Sequence, residues 1–187
     1  MPCVPATQAR HLLLQPIESL MFSRSQPLNV GDTAPGFALE TAYGVEVSLT
    51  SCIVGGPLLV EFLRGSWDPD SRARLRMLTE FHPKLAELGC KVVTIVCERT
   101  VTLAHYLEQN GTPFPVLVDT DRNVSKAYGV WQRFSLPVWN IARPSSFLLD
   151  HCGYVVYSYV ARLPIHAADL EEIEASARDL QRGRASF

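Results

Sequence analysis

Apolar positions recur along this chain in two periods, and the switches between them outline an α/β protein. Pro57-Leu58-Leu59-Val60-Glu61-Phe62-Leu63 is a mostly apolar run of the length of a buried strand. It breaks at Gly65-Ser66, and the period then changes: Leu75, Leu78, Phe81, Leu85 and Leu88 recur in steps of three and four, one buried face of a helix. The helix start is written out locally, with Asp68 suited to the N-cap, Pro69 to the first helical position, and Asp70 and Ser71 to the first turn. Pro83 lies inside and removes one hydrogen bond, and Gly89 ends the helix. Lys91 to Cys97 reads as a second buried strand, residues 100–110 as a second helix, Pro115 to Asp119 as a third strand, and Asn123 to Tyr128 as a short helix. Ser146 to Asp150 and Tyr154 to Val160 flank His151-Cys152-Gly153 and pair as a hairpin, followed by a last helix over 166–182 that buries Leu170, Ile173, Ala177 and Leu180. Upstream, Phe37 to Glu40 and Val45 to Leu49 alternate around Ala42-Tyr43-Gly44 as another hairpin. Residues 130–143, with Trp131, Phe134, Pro137 and Trp139, read as a long aromatic loop.

This order constrains topology. Right-handed crossovers make the strands at 57–63 and 91–97 parallel and adjacent, so their C-terminal ends, at Arg64 and Cys97, share one edge of the sheet. A ligand is expected outside that edge, where the helix beginning near Asp68 also directs its free N–H groups and positive dipole end.

Bulk properties narrow the classes. With 187 residues and 47% hydrophobic content the chain supports one well-buried core. A net charge of -2 offers nothing to nucleic acid or an anionic membrane. No apolar run approaches the roughly 18 residues that span a bilayer. His11-Leu12-Leu13-Leu14 is too short for a signal-peptide core, so a soluble, cytoplasmic protein is expected. Residues 1–28, where Leu12, Leu13, Ile17, Leu20 and Met21 fall at helical spacing around Pro16, read as an extension, and residues 29–187 as a single domain. Cys3, Cys52, Cys90, Cys97 and Cys152 are odd in number and widely spaced, which suggests neither a disulfide framework nor a zinc site. The histidines show no metal-ligand spacing, and no metal or cofactor is expected.

Four segments, in order, resemble the alkyl hydroperoxide reductase / thiol-specific antioxidant family, the peroxiredoxin-like proteins. Val30-Gly31-Asp32-Thr33-Ala34-Pro35-Gly36-Phe37-Ala38-Leu39 is similar to the family's opening. Phe62-Leu63-Arg64-Gly65-Ser66-Trp67-Asp68-Pro69-Asp70-Ser71-Arg72 resembles its Phe-x-Arg-Gly-x-Trp-Cys-Pro-x-Cys-Arg motif. Phe114 to Asp119 with Ala127-Tyr128-Gly129-Val130 resembles a third segment, and Arg143-Pro144-Ser145-Ser146-Phe147-Leu148-Leu149-Asp150 a fourth, whose cis-proline would be Pro144. The resemblance implies a thioredoxin-like fold: a central mixed sheet flanked by helices, with an N-terminal β-hairpin of peroxiredoxin type.

The departure is as informative as the match. Both motif cysteines are replaced, by Asp68 and Ser71. In the family the first thiolate, stabilised at this helix N-terminus, attacks peroxide or a disulfide. A hydroxyl forms no stable sulfenate equivalent, so that mechanism cannot run on Asp68 and Ser71. The expected outcome is a redox-degenerate member kept for binding or regulation. Asp68 suits the site electrostatically, by about 0.3–1 kcal/mol from the dipole and about 1 kcal/mol as a cap. The residue before the cis-proline faces this helix in the fold, so Arg143 is expected to meet Asp68, joined by Arg64 or Arg72. An alternative enzyme would use Cys97, although Glu98 beside it raises rather than lowers a thiol pKa. Trp67, Trp131, Phe134 and Trp139 form a candidate ring around the pocket for a small apolar ligand or a peptide. A homodimer is also expected by resemblance, and a purely structural dimer is the third alternative.

Overall fold

The computed structural model describes residues 26–135, 138–163 and 166–185, with the side chains of 133–140 and 184–185 left out of the description. The strand at Leu58–Leu63 is buried at every position, as its apolar run requires. Its alternate residues serve two cores. Leu58, Val60 and Phe62 join one cluster with Val93, Ile95, Leu117, Tyr128 and Phe147. Leu59 and Leu63 join the other with Leu75, Leu78, Leu85, Val96, Leu103 and Ile173. The sheet is therefore the middle layer of three.

In chain order the elements are β1 (Ala38–Thr41), β2 (Glu46–Ser48), α1 (Leu49–Ile53), β3 (Leu58–Leu63), α2 (Pro69–Glu87), β4 (Lys91–Val96), α3 (Thr100–Gln109), β5 (Val116–Val118) and α4 (Asn123–Ala127). There follow β6 (Trp131–Ser135), β7 (Val138–Ala142), β8 (Ser145–Leu149), β9 (Val155–Val160) and α5 (Leu170–Ala185). Seven strands form one mixed sheet in the order β2-β1-β5-β4-β3-β8-β9. β3 is parallel to β4 and β4 to β5, while β8 runs antiparallel to β3, and β1 to β5. Leu63 lies opposite Val96, which brings Arg64 and Cys97 out at the same edge, as the crossover argument requires. α2 runs through Pro83 without interruption and buries Leu75, Leu78 and Leu85. α5 buries Leu170, Ile173 and Ala177 against the same face.

Three expectations change. Residues 130–143 are not a loop but a separate antiparallel pair, β6 and β7, with Trp131 opposite Ala142 and Phe134 opposite Trp139. Their bulky aromatic and β-branched residues are strand formers. The turn carrying Cys52 is the short helix α1, opened by a reciprocal Ser48–Ser51 capping box. Cys152, at the β8–β9 turn, is disulfide-bonded, against the expectation from spacing alone. Leu28 is buried in the core and its backbone bonds Tyr128 and Ser158, so the packed unit extends at least to this residue. The expected extension at residues 1–25 lies outside the described residues, and no described helix is long and apolar enough to cross a membrane.

Candidate functional site

β3 leaves the core at Arg64 and turns through Gly65 and Ser66 into α2. Gly65 holds φ +144°, and a Cβ there would lie 2.5 Å from the Trp67 indole nitrogen. Only glycine lets the tryptophan fold back over this turn. Asp68 then caps α2, as its position in the sequence predicts, accepting from the Ser71 N–H at 2.9 Å. The same carboxylate oxygen accepts from the Ser71 hydroxyl at 2.7 Å, and the other accepts from the Arg64 guanidinium at 3.0 Å. The Ser71 oxygen in turn accepts the Arg64 backbone N–H. Arg64, Asp68 and Ser71 are all buried, at 6%, 4% and 2% exposure. Trp67 lies over the Arg64 guanidinium, 5.2 Å from its centre, and is itself 40% exposed.

Of the cations expected at Asp68, the structure brings Arg64 and not Arg143. Arg64 meets Asp68, whereas Arg143 makes no ion pair with it. Arg143 bonds through its backbone to Val130 and Ser145, and burial without a partner lowers its guanidinium pKa. The reason is distance along the chain: Arg64 sits four residues before Asp68 on the strand end that delivers the helix, which brings it to the cap before any long-range partner is needed. The side chain of Arg72 is half-buried and has no partner among the described residues. Pro144 lines a small cleft beside Asp70 and Ser71. Trp131 is half-buried with the Lys126 ammonium 5.5 Å from its ring centre, and the side chain of Trp139 lies outside the described residues.

At the neighbouring strand end, Cys97 is 7% exposed and its sulfur lies 3.3 Å from the Ser125 hydroxyl. Ser125 donates to Asp119, whose carboxylate also accepts two N–H groups at the start of α4. Burial is the main cause that pushes the Cys97 thiol up to about 11, and Asp119 adds to it. Cys52 and Cys90 are also free and buried; burial raises both, Cys90 to about 12.

Two polar groupings escaped sequence reasoning. Glu98 accepts both the Ser66 N–H, at 2.7 Å, and the Ser66 hydroxyl, at 2.9 Å, tying the β4 end to the β3–α2 turn. Burial raises its carboxyl above the usual range, against these two hydrogen bonds. Glu61 and Arg74 form a buried ion pair at 2.6 Å between β3 and α2. A signal for this pair existed: Glu61 interrupts an apolar strand, and Arg74 falls on the apolar stripe of α2 between Ser71 and Leu78. Among the described residues, Asp150, His151 and Cys152 are the one group with three potential metal-ligand atoms within 4.8 Å of one another. Cys152 is disulfide-bonded, and Asp150 accepts the N–H groups of Cys152 and Tyr154, which makes the group a turn.

A parallel β3–β4–β5 core with an antiparallel β8–β9 hairpin, and a capped helix opening at the β3 edge, is the arrangement of a thioredoxin-fold protein. The chain belongs to the AhpC/TSA family, whose model matches residues 30–158. It is 28% identical over 135 residues to the peroxiredoxin Bcp of Escherichia coli, covering 71% of this chain and 86% of that protein. It is 26% identical over 136 residues to the thiol-disulfide oxidoreductase ResA of Bacillus cereus, covering 72% of each. Among solved structures it resembles the peroxidoxin BcpB of Mycobacterium tuberculosis, with a TM-score of 0.73 at 20% identity over 81% of this chain and 97% of the other. A thiol peroxidase from Chromobacterium violaceum gives a TM-score of 0.70 at 24% identity, over 86% and 90%.

Proposed function

We propose that this chain is a redox-degenerate member of its family, with the active-site scaffold kept for binding or regulation rather than thiol chemistry. The observation that carries this reading is the saturation of Asp68. Its carboxylate occupies the helix N-terminus where a thiolate would gather its stabilisation, and Arg64 and both donors of Ser71 are spent on it. Neither Asp68 nor Ser71 can be oxidised and reduced again, so the site has charge and shape without a redox couple. A small apolar ligand or a peptide at residues 130–143, a homodimer and a cytoplasmic location belong to the same proposal.

Cys97 supports a second reading, a thiol enzyme of unusual layout, because it emerges at the same sheet edge as Arg64. Its chemistry opposes the role. A thiol near 11 is almost wholly protonated at neutral pH: burial and Asp119 raise it, and the Ser125 hydrogen bond and the Arg122 charge offset them only in part. The test is turnover by the full chain with hydrogen peroxide, an organic hydroperoxide and a small disulfide, alongside Cys97→Ser. The expected result is no catalysed turnover in either protein. Turnover in the parent chain that disappears with Cys97→Ser overturns the proposal in favour of the second reading.

A further inference from the structure

Away from the strand ends, the flank of α2 meets the close of α3 in a groove of about 180 Å³. Leu75, Arg76, Thr79 and Glu80 line it from α2, and Tyr106, Asn110 and Thr112 line it from α3 and the loop that follows. Leu75 is buried and Tyr106 half-buried, whereas Arg76 and Glu80 are exposed. No cysteine lines the groove, nor does any residue of the Asp68 site.

The two charges of this lining are both unspent. Arg76 and Glu80 are four residues apart on one helix, the spacing at which opposite charges ordinarily meet. They form no ion pair with each other, and neither has another partner among the described residues. Their order is the weaker one for such a pair, with the cation nearer the helix start; Glu174 and Arg178, at the same spacing in the opposite order, do close. The neutral donors are mostly committed: Thr79 donates to the Leu75 carbonyl, Thr112 to the Phe114 carbonyl and the Asn110 amide to the Tyr106 carbonyl. The Asn110 side-chain oxygen adds an acceptor, and the Tyr106 hydroxyl a group that can donate or accept. A simple anion at this groove would meet Glu80, and a simple cation would meet Arg76. A ligand that carries both signs uses both.

We propose that this groove binds a free α-amino acid with an apolar side chain, its carboxylate on Arg76 and its ammonium on Glu80. A planar guanidinium takes a carboxylate through two parallel N–H bonds, and an ammonium offers three donors to a carboxylate. The Cβ atoms of residues four apart on a helix lie about 5–6 Å from each other, so two long side chains can converge on charges that are one carbon apart. Leu75 and the Tyr106 ring supply apolar surface for the ligand's side chain. A cavity of roughly 150 Å³ holds a six-carbon ring, so this one suits a molecule of about seven to nine heavy atoms, the size of valine or leucine. The inference goes beyond the redox reading and does not rest on it, because it concerns binding between two helices and not the strand ends.

The test is titration of the full chain with L-leucine at pH 7, followed by amide NMR shifts. N-acetyl-leucine, which lacks the ammonium, leucinamide, which lacks the carboxylate, and sodium chloride serve as controls. The expected result is saturable shifts around residues 75–80 and 106–112 with leucine, and binding about fivefold weaker with either blocked analogue. Glycine should also bind more weakly, because it leaves Leu75 and Tyr106 uncovered. Arg76→Gln should weaken leucine about fivefold without further weakening leucinamide, and Glu80→Gln should do the same without further weakening N-acetyl-leucine. Both side chains are exposed, so the melting temperature of each free variant should hardly move. No saturable shift with leucine, equal binding of leucine and both blocked analogues, or glycine binding as tightly as leucine overturns the proposal.

Discussion

Two neighbouring strand ends divide between them what a reactive thiol needs. At the end of β3 the helix dipole, the Arg64 guanidinium and the Ser71 donors converge, but on a carboxylate. At the end of β4 there is a sulfur, but it sits in a nearly closed pocket with a serine and an aspartate behind it. The first site has the electrostatics without the sulfur, and the second has the sulfur without the electrostatics. Reactivity belongs to neither component alone, because a thiol attacks as thiolate and the protein must stabilise that charge.

The contrast breaks most sharply if sulfur is returned to the first site. In Asp68→Cys with Ser71→Cys, the thiol at 68 should titrate below its ordinary value, by the dipole and Arg64. At pH 7 its alkylation should exceed that of Cys97 by about a thousandfold or more, as followed with a fluorescent haloacetamide. Equal rates at the two positions would mean that the site at α2 has lost its electrostatics along with its cysteines.

Removing the carboxylate instead measures how much the first site depends on it. Asp68→Ala should lower unfolding free energy by about 3–5 kcal/mol, because it strands a buried guanidinium as well as deleting the cap. Asp68→Asn keeps an acceptor for Ser71 and should cost less, about 1–3 kcal/mol. Denaturant melts of both variants check the order. The second site predicts a much smaller effect: Cys97→Ser should change stability by about 1 kcal/mol or less, since a hydroxyl can share the same Ser125 partner.

Glu98 links the two ends and adds a pH signature. Its folded pKa is raised, so the folded state holds a proton that the unfolded chain releases near the usual carboxylate value. Its contribution to stability is fully present below about 4.5 and is lost as pH rises through the folded pKa. Glu98→Gln should flatten that part of the stability–pH curve while leaving the Ser66 contact in place. An unchanged slope would show that another group sets it.

Much of this was legible from local pattern. The β3 run, the Asp68 cap with Pro69, the apolar stripe of α2 and the shared edge of Arg64 and Cys97 all follow from period, cap chemistry and crossover handedness. The β6–β7 pair was not, because aromatic residues at 131, 134 and 139 suit a pocket loop and a strand equally well, and only pairing across the turn separates them. Arg143 was expected at Asp68 from the resemblance, with Arg64 only as a joining residue, whereas the structure gives the contact to Arg64, four residues away along the chain.

Sequence by itself determined that this chain builds a helix N-terminus at a sheet edge and that its two motif positions hold a carboxylate and a hydroxyl. Those are matters of residue identity and short-range periodicity. Tertiary structure decided which cation meets Asp68, that burial pushes the Cys97 thiol up, and that one buried Glu61 oxygen has no hydrogen-bond partner among the described residues. Each depends on dielectric and distance between segments up to tens of residues apart, which exist only once the three layers have packed.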